Sequence, residues 1–286
     1  MKKILFIHII LIFVGQLFSQ ELLFDDGIYI EKPNNLDTSS HRYSRDNISY
    51  KLNSTFIYDY YYLDNTGIKK KFLLKKDWSF DNPMNLTKYE NPTESVIDKI
   101  KIVVDDNLKM FSTFDSTYTQ TVFSYYYVNG KIEDTLFKDF YNSIERTGVI
   151  DNKKNLWIHP PRNYSFMILE LSPFPFYNLD ESIDSWSWNL EVGGFYLDQR
   201  WIHSEKKDNL NIKYNYTRMK DELINTPFGN VNCKVIYGTA TSKYDDTFME
   251  TNLKSYYNSK YGFVKLVYSN INNSKICFDL VEADIK

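Results

Sequence analysis

The chain has 286 residues; 43% are hydrophobic and 17% aromatic, with 24 Tyr and 20 Phe against only 10 Gly. That apolar share supports a packed core and excludes wholesale disorder. Its 34 basic and 37 acidic residues give a formal net charge of −3. A mildly acidic chain does not suit nucleic acid, whose phosphates need clustered Lys and Arg.

Met1-Lys2-Lys3 leads into an apolar run from Ile4 to Val14, broken by His8, and Leu17-Phe18-Ser19 precedes Gln20. This pattern predicts a secretory signal peptide over residues 1–19, cleaved after Ser19 or Gln20. The run falls short of the ~20 residues that span a bilayer core. No Cys follows it to carry a lipid anchor, and no later stretch is apolar enough to cross a membrane. The expectation is an exported chain with no transmembrane segment when mature, placed in the periplasm or at the outer cell surface. Without Lys2 and Lys3 it keeps 32 basic residues against 37 acidic ones.

Tyr, Phe and β-branched residues in short runs, separated by Asn, Asp and Ser, predict strands and tight turns. Glu21 to Ile30 is a first candidate strand, and Glu31 to Asn47 a polar loop. Ile48 to Leu63 and Ile68 to Trp78, around Asp64-Asn65-Thr66-Gly67, read as a hairpin. Within the return strand, Lys69-Lys70-Lys71 and Lys75-Lys76 flank Phe72-Leu73-Leu74, as on a solvated edge. Ser79 to Thr93 reads as irregular. Ile100 to Val104 and Leu108 to Phe114 suggest a second hairpin, with a short helix over Glu94–Lys101 as the competing reading.

Thr121 to Val128 and Lys131 to Phe137 flank Asn129-Gly130, the strongest hairpin signal in the chain. Lys138 to Asn155 reads as a polar connection. Leu156 to His159 and Ser165 to Leu171 are strand-like, and Pro173-Phe174-Pro175-Phe176 must leave regular structure. Trp186 to Leu190 and Phe195 to His203 flank Gly193-Gly194, and Asn209 to Met219 is a further strand. From Asn225 to Ala283 an antiparallel meander turns at Thr226–Gly229, Asn258–Gly262 and Asn270–Ser274. The predicted fold is all-β: a large antiparallel curved sheet, barrel-like or sandwich, with few short helices. Its domains are an N-terminal β-rich region over 20–146 and a C-terminal meander over 147–286, or one continuous unit.

Two cysteines in an exported chain invite a disulfide. Strand phase argues against it, although a bulge or a strongly curved sheet could still bring the pair together. Cys233 shares the apolar face of Val231 and Val235, whereas Cys277 lies opposite the apolar face of Ile276, Phe278 and Leu280.

No nucleophile elbow, zinc-protease helix, phosphate loop or dinucleotide fingerprint is present. Neither cysteine has the close pairing of a zinc site, Asp25-Asp26 and Asp245-Asp246 match turns and not a calcium loop, and no cofactor is expected. His159, followed by Pro160-Pro161-Arg162, is the best polar candidate. The prolines could hold His159 and Arg162 toward an anionic ligand, or simply end a strand. Asp198, Arg200 and His203 around Trp201 divide between two strand faces. Asp180, Glu181 and Asp184 raise glycoside hydrolysis, which needs two carboxylates facing across a cleft, but in one loop they also suit a capped turn. Trp186 and Trp188 could stack on a ligand, or alternate with Ser185 and Ser187 as a buried face.

Thr226-Pro227-Phe228-Gly229, Cys233, Gly238-Thr239-Ala240 and Lys260 to Lys265, with Trp157 to Arg162, Leu169-Glu170-Leu171 and Pro173-Phe174-Pro175, carry a resemblance. The chain resembles a group of exported bacterial proteins of unknown function whose C-terminal part is a barrel-like or strongly curved antiparallel sheet. More distantly its architecture is similar to periplasmic lipoprotein carriers, which hold acyl chains against a concave apolar face. The resemblance covers the chain from Trp157 onward and implies no catalytic residue. The expected function is a non-enzymatic binding or structural module of the cell envelope, with an apolar ligand or an envelope protein as partner. Candidate ligand contacts are His159, Arg162, Trp186 and Trp188. The alternatives are a polysaccharide hydrolase using dispersed carboxylates, and an interaction module of an envelope assembly.

Overall fold

The structure is a computed structural model that describes residues 48–70, 72–74, 95–105, 120–128, 144–151, 155–160, 168, 171–192, 210–244 and 246–286. The strands are β1 (Thr55–Leu63), β2 (Lys69–Lys70), β3 (Phe72–Leu74), β4 (Ser95–Asp105), β5 (Gln120–Val128), β6 (Ile144–Asp151) and β7 (Asn155–Ile158). They continue with β8 (Phe176–Asn178), β9 (Ser185–Val192), β10 (Leu210–Thr226), β11 (Gly229–Tyr244), β12 (Thr247–Asn258), β13 (Gly262–Ser269) and β14 (Lys275–Asp284). No helix occurs among the described residues, so none there is long and apolar enough to cross a membrane.

Period-two alternation sets the faces. On β10, Ile212, Tyr214 and Tyr216 are buried, while Asn211, Lys213 and Thr217 are exposed. On β12, Met249, Thr251 and Leu253 point inward between exposed or half-buried neighbours. One face of each of these strands therefore faces the core.

The fourteen strands of the described residues join one antiparallel sheet, in the order β8-β7-β6-β5-β4-β1-β14-β13-β12-β11-β10-β9, with β2 on β1 and β3 on β4 as side branches. Two meanders, β4–β8 and β9–β14, thus flank β1. The end strands of this path, β8 and β9, are consecutive in sequence and joined by Leu179–Asp184. A flat sheet of that many strands would be roughly 50 Å across at the usual strand spacing. The linker reaches at most about 25 Å when extended. The sheet must therefore roll until its two ends approach, and it does so without a ladder between β8 and β9. It is a curled sheet and not a closed barrel.

The sequence-based elements need four corrections. The segment after Gly67 returns along β1 only through Lys69 and Lys70, and Phe72–Leu74 then pair with β4. β1 takes β4 and β14 as its main partners, because the chain's last strand competes for its edge. The competing helix reading does not hold over Ser95–Lys101, which belong to strand β4, whose partner across from β1 is β5. Within the expected polar connection 138–155, Ile144–Asp151 form β6, paired with β5 and β7. The return arms at Leu108–Phe114 and Lys131–Phe137, the candidate strands Glu21–Ile30 and Phe195–His203, and the signal peptide lie outside the described residues.

The C-terminal meander follows its turn residues. Gly229 and Gly262 adopt φ of 112° and 68°, and Asn273 sits at 66°, the region such turns demand. Residues ahead of and within β1 clamp this end. Tyr50 OH accepts from Phe263 N at 3.1 Å, Tyr58 OH donates to Phe263 O at 2.7 Å, and Ser49 Oγ donates to Ser259 O at 3.1 Å. Cys233 lies on β11 and Cys277 on β14, with β12 and β13 between them; both thiols are free and buried.

Candidate functional site

Where the two ends of the sheet approach, the chain concentrates its aromatic rings. On β9, Trp186 and Trp188 point inward between Ser185 and Ser187. The β9–β10 register sets Trp186 opposite Tyr216 and Trp188 opposite Tyr214. Both pairs stack, with centroids 5.5 and 4.1 Å apart. Such pairs add about 1 kcal/mol beyond the area they bury.

The opposing surface comes from the proline-broken run ahead of β8. Pro173 and Pro175 carry no N–H and cannot extend a ladder, so the chain crosses the inner face and delivers Phe174 and Phe176. Phe174 stacks on Trp157 of β7 at 5.2 Å and meets Trp188 at 5.1 Å and the edge of Tyr214 at 5.5 Å. Phe176 meets Trp186 and Tyr216, each at 5.3 Å. Gly238 of β11 makes room for this crossing: a Cβ there would sit 3.0 Å from the Tyr216 ring and 3.2 Å from Pro173. Thr251 Oγ1 anchors the crossing by donating to Leu171 O at 2.9 Å.

His159 belongs to the same nest. It is buried, its Nδ1 donates to Pro160 O at 2.8 Å, and its ring meets Phe174 edge-on at 5.2 Å. The structure thus gathers three of the sequence candidates, His159, Trp186 and Trp188, around Phe174 and Phe176. Arg162 lies outside the described residues, as do Asp198, Arg200, Trp201 and His203.

The β8–β9 linker is organised by its own polar groups. Asp180 Oδ1 accepts from Ser182 N at 3.0 Å and from Ser182 Oγ at 2.6 Å, and the Ser182 hydroxyl holds the Asp180 carboxyl below its ordinary range. Glu181 pairs with Lys234 at 3.5 Å, and Asp184 gives its backbone carbonyl to Arg218 N at 2.8 Å. None of the three acids is paired across a cleft with another in these contacts.

Sequence reasoning missed Arg218. On β10 it extends the inward row of Tyr214 and Tyr216, and its guanidinium donates to the backbone carbonyls of Asn178, Asp180 (2.9 Å) and Ile183 (2.9 Å). It also lies over the rings of Tyr177 and Trp186, at 4.9 and 5.9 Å. Nothing local marks it, because its partners precede it by 35 to 40 residues.

The described residues contain no group of three or more His, Cys, Asp and Glu placed to hold a metal. Burial pushes the Cys277 thiol up to about 11 and Cys233 to about 12, which keeps both protonated and unreactive near neutral pH. Chemically, the nest offers flat apolar surface and buried ring edges in place of an acid–base pair.

No family model matches the sequence, and no curated protein matches it. Two crystal structures are similar to it at low identity. A putative lipoprotein from Parabacteroides distasonis is 13% identical, with a TM-score of 0.44, covering 83% of this chain and 97% of its own. A putative exported protein with YmcC-like fold from Bacteroides fragilis is 11% identical, with a TM-score of 0.36, covering 84% of this chain and 99% of its own. Those descriptions belong to the two proteins themselves.

Proposed function

We propose that this is an exported cell-envelope protein that works by binding and not by catalysis, and that the aromatic nest receives an apolar ligand such as an acyl chain. The observation that carries this reading is the convergence of Trp157, Phe174, Phe176, Trp186, Trp188 and Tyr214 at a seam that no ladder closes. Apolar pockets with few polar groups are the usual receptors of small apolar ligands. Export rests on the N-terminal signal pattern, and the continuous sheet favours one domain over two. His159 would supply the nest's polar handle, with Arg162 as a further contact for an anionic headgroup.

A second reading, an interaction module, draws on the β10–β11 hairpin. Leu223 is 64% exposed, Met219 50% and Phe228 38%, which suits contact with another protein.

The test is native mass spectrometry of the mature protein from its own envelope fraction, with denaturing extraction. A lipid or other apolar molecule at fixed stoichiometry is expected. A bare protein mass, together with no binding of an added acyl-chain probe, would overturn the ligand reading and leave the protein-interaction reading.

A further inference from the structure

We propose that Arg218 and Trp186 receive an anionic headgroup, a carboxylate or phosphate, at the end of the nest where β8 and β9 are joined. This rests on the reading above that the nest takes an apolar ligand, and makes that ligand an anionic amphiphile held in one orientation.

The residues of β10 order the nest. Tyr214 meets Trp188 and Phe174, Tyr216 meets Trp186 and Phe176, and Arg218 follows in the same row. His159 contacts Phe174 in the first of these layers, so Arg218 marks the opposite end. There the buried rings give way to the exposed linker. Arg218 is itself half-buried, with its guanidinium over Tyr177 and Trp186. The floor beneath it is well packed, since Tyr177 stacks on Tyr257 at 4.1 Å. An acyl chain lying along Tyr214 and Tyr216 would bring its head to this guanidinium.

Arg218 has donors and charge to spare. A guanidinium carries five N–H donors. Nε donates to Ile183 O, and Nη2 to Asn178 O and Asp180 O, whereas Nη1 reaches no acceptor among the described residues. Arg218 also makes no ion pair among them. The acids of the linker and of the β10 bulge are committed elsewhere: Asp180 accepts from Ser182, and Glu181 and Asp221 pair with Lys234 at 3.5 and 3.2 Å. Backbone carbonyls carry only partial charge, so they fix the guanidinium in place without neutralising it. A planar guanidinium matches carboxylate and phosphate geometry.

Trp186 supplies the independent sign. Its side chain is only 8% exposed, and its indole Nε1 is buried with no acceptor among the described residues. An indole N–H can only donate, and buried donors in folded proteins are nearly always paired. A buried unpaired donor on a ring that Arg218 covers calls for an acceptor oxygen, which an anionic headgroup brings.

The test is calorimetric titration of the mature protein with dodecanoate, dodecyl phosphate, uncharged dodecanol and inorganic phosphate. Wild type is compared with Arg218→Gln and with Trp186→Phe, which removes Nε1–H and keeps a ring. Circular dichroism checks folding, and Trp186→Phe carries the test should Arg218→Gln not fold. Wild type should bind at least one anionic amphiphile about tenfold or more tighter than dodecanol. Arg218→Gln should abolish that preference, and Trp186→Phe should narrow it. No preference in wild type, or one that both variants keep, would overturn the headgroup site while leaving the apolar-ligand reading standing. A preference lost in Arg162→Gln and kept in Arg218→Gln would overturn it too, moving the headgroup to the His159 end. No binding of any amphiphile would overturn the apolar-ligand reading itself. Inorganic phosphate binding as tightly as dodecyl phosphate, and only with Arg218 present, would support the anion site and overturn its tie to an acyl chain.

Discussion

The two halves of the sheet meet in two places, and they are joined there by different forces. At one, β1 and β14 pair along the whole of β1, from Thr55 opposite Asp284 to Leu63 opposite Lys275. Tyr60 packs on Phe278 at 5.0 Å beneath that ladder, and Tyr61 OH donates to Asp279 Oδ2 at 2.8 Å on its other face. At the other, β8 and β9 share ring contacts and the reach of Arg218, but no ladder. Backbone pairing over a long strand opens only with the fold as a whole, whereas a side-chain seam can open by itself. A curled sheet can thus be both stable and locally yielding, with the yielding line placed against the aromatic nest.

The comparison is broken most readily by deleting one ring on each side. Phe278→Ala removes a side chain only 2% exposed beneath the β1–β14 ladder and should cost about 3–5 kcal/mol of global stability in urea denaturation. Phe176→Ala should cost less in the same measurement, because the seam's opening is partly uncoupled from global unfolding. Equal losses would mean that the seam belongs to the same cooperative unit. Gly262→Ala comes next. The position has φ of 68°, and its Cβ would meet the Tyr50 ring at 2.5 Å, so a loss of about 2 kcal/mol or more is expected on the clamped side. Gly238→Ala probes the seam side, where Tyr216 and Pro173 must give by tenths of an ångström. Its expected cost is about 1–2 kcal/mol, read from the melting midpoint.

The smallest expected effect is one of pH. Burial raises the Cys277 thiol from its ordinary 9.0 to about 11. The folded state therefore holds its proton where the unfolded state has lost it. The contribution is complete below pH 9 and is lost as pH rises toward 11. Stability should fall over that window, and more gently in Cys277→Ala. The buried hydroxyls of Tyr58 and Tyr61 are also raised, by desolvation first, so some alkaline loss should remain in the variant. An identical slope in both proteins would show that Cys277 is not sealed at the β1–β14 junction.

Much of the C-terminal meander was legible because its instructions are local. Asn258 Oδ1 accepts from Lys260 N at 2.9 Å, and Asn272 Oδ1 from Ser274 N at 3.0 Å, so these turns are written in the residues that make them. The inward phase of Trp186 and Trp188 followed from alternation with serine. What stayed hidden is set by distance along the chain. β1 was given its nearest neighbour as partner, which pairs with it only over Lys69–Lys70, while its long ladders run to β4 and the last strand, which no window of sequence brings together. β10 was stopped near Met219, although a bulge between Met219 and Glu222 carries it to Thr226. The strand β6 was missed in a polar stretch, since pairing on both sides outweighs weak intrinsic preference. The nest was half legible: its tryptophans, His159 and the proline break were evident, but not that the ends of the sheet bring them together, nor that Arg218 ties them.

Native-state hydrogen exchange across the whole chain tests the central claim most directly. The account predicts that amides of β1 and β14 exchange only through global unfolding, with the full denaturant dependence of that transition. Amides from Leu171 to Val192 should exchange through a local opening at markedly lower free energy and with little denaturant dependence. If both regions exchange with the same free energy and the same denaturant slope, the seam is no weaker than the ladder, and the account of a sheet closed on one side by side chains alone is wrong.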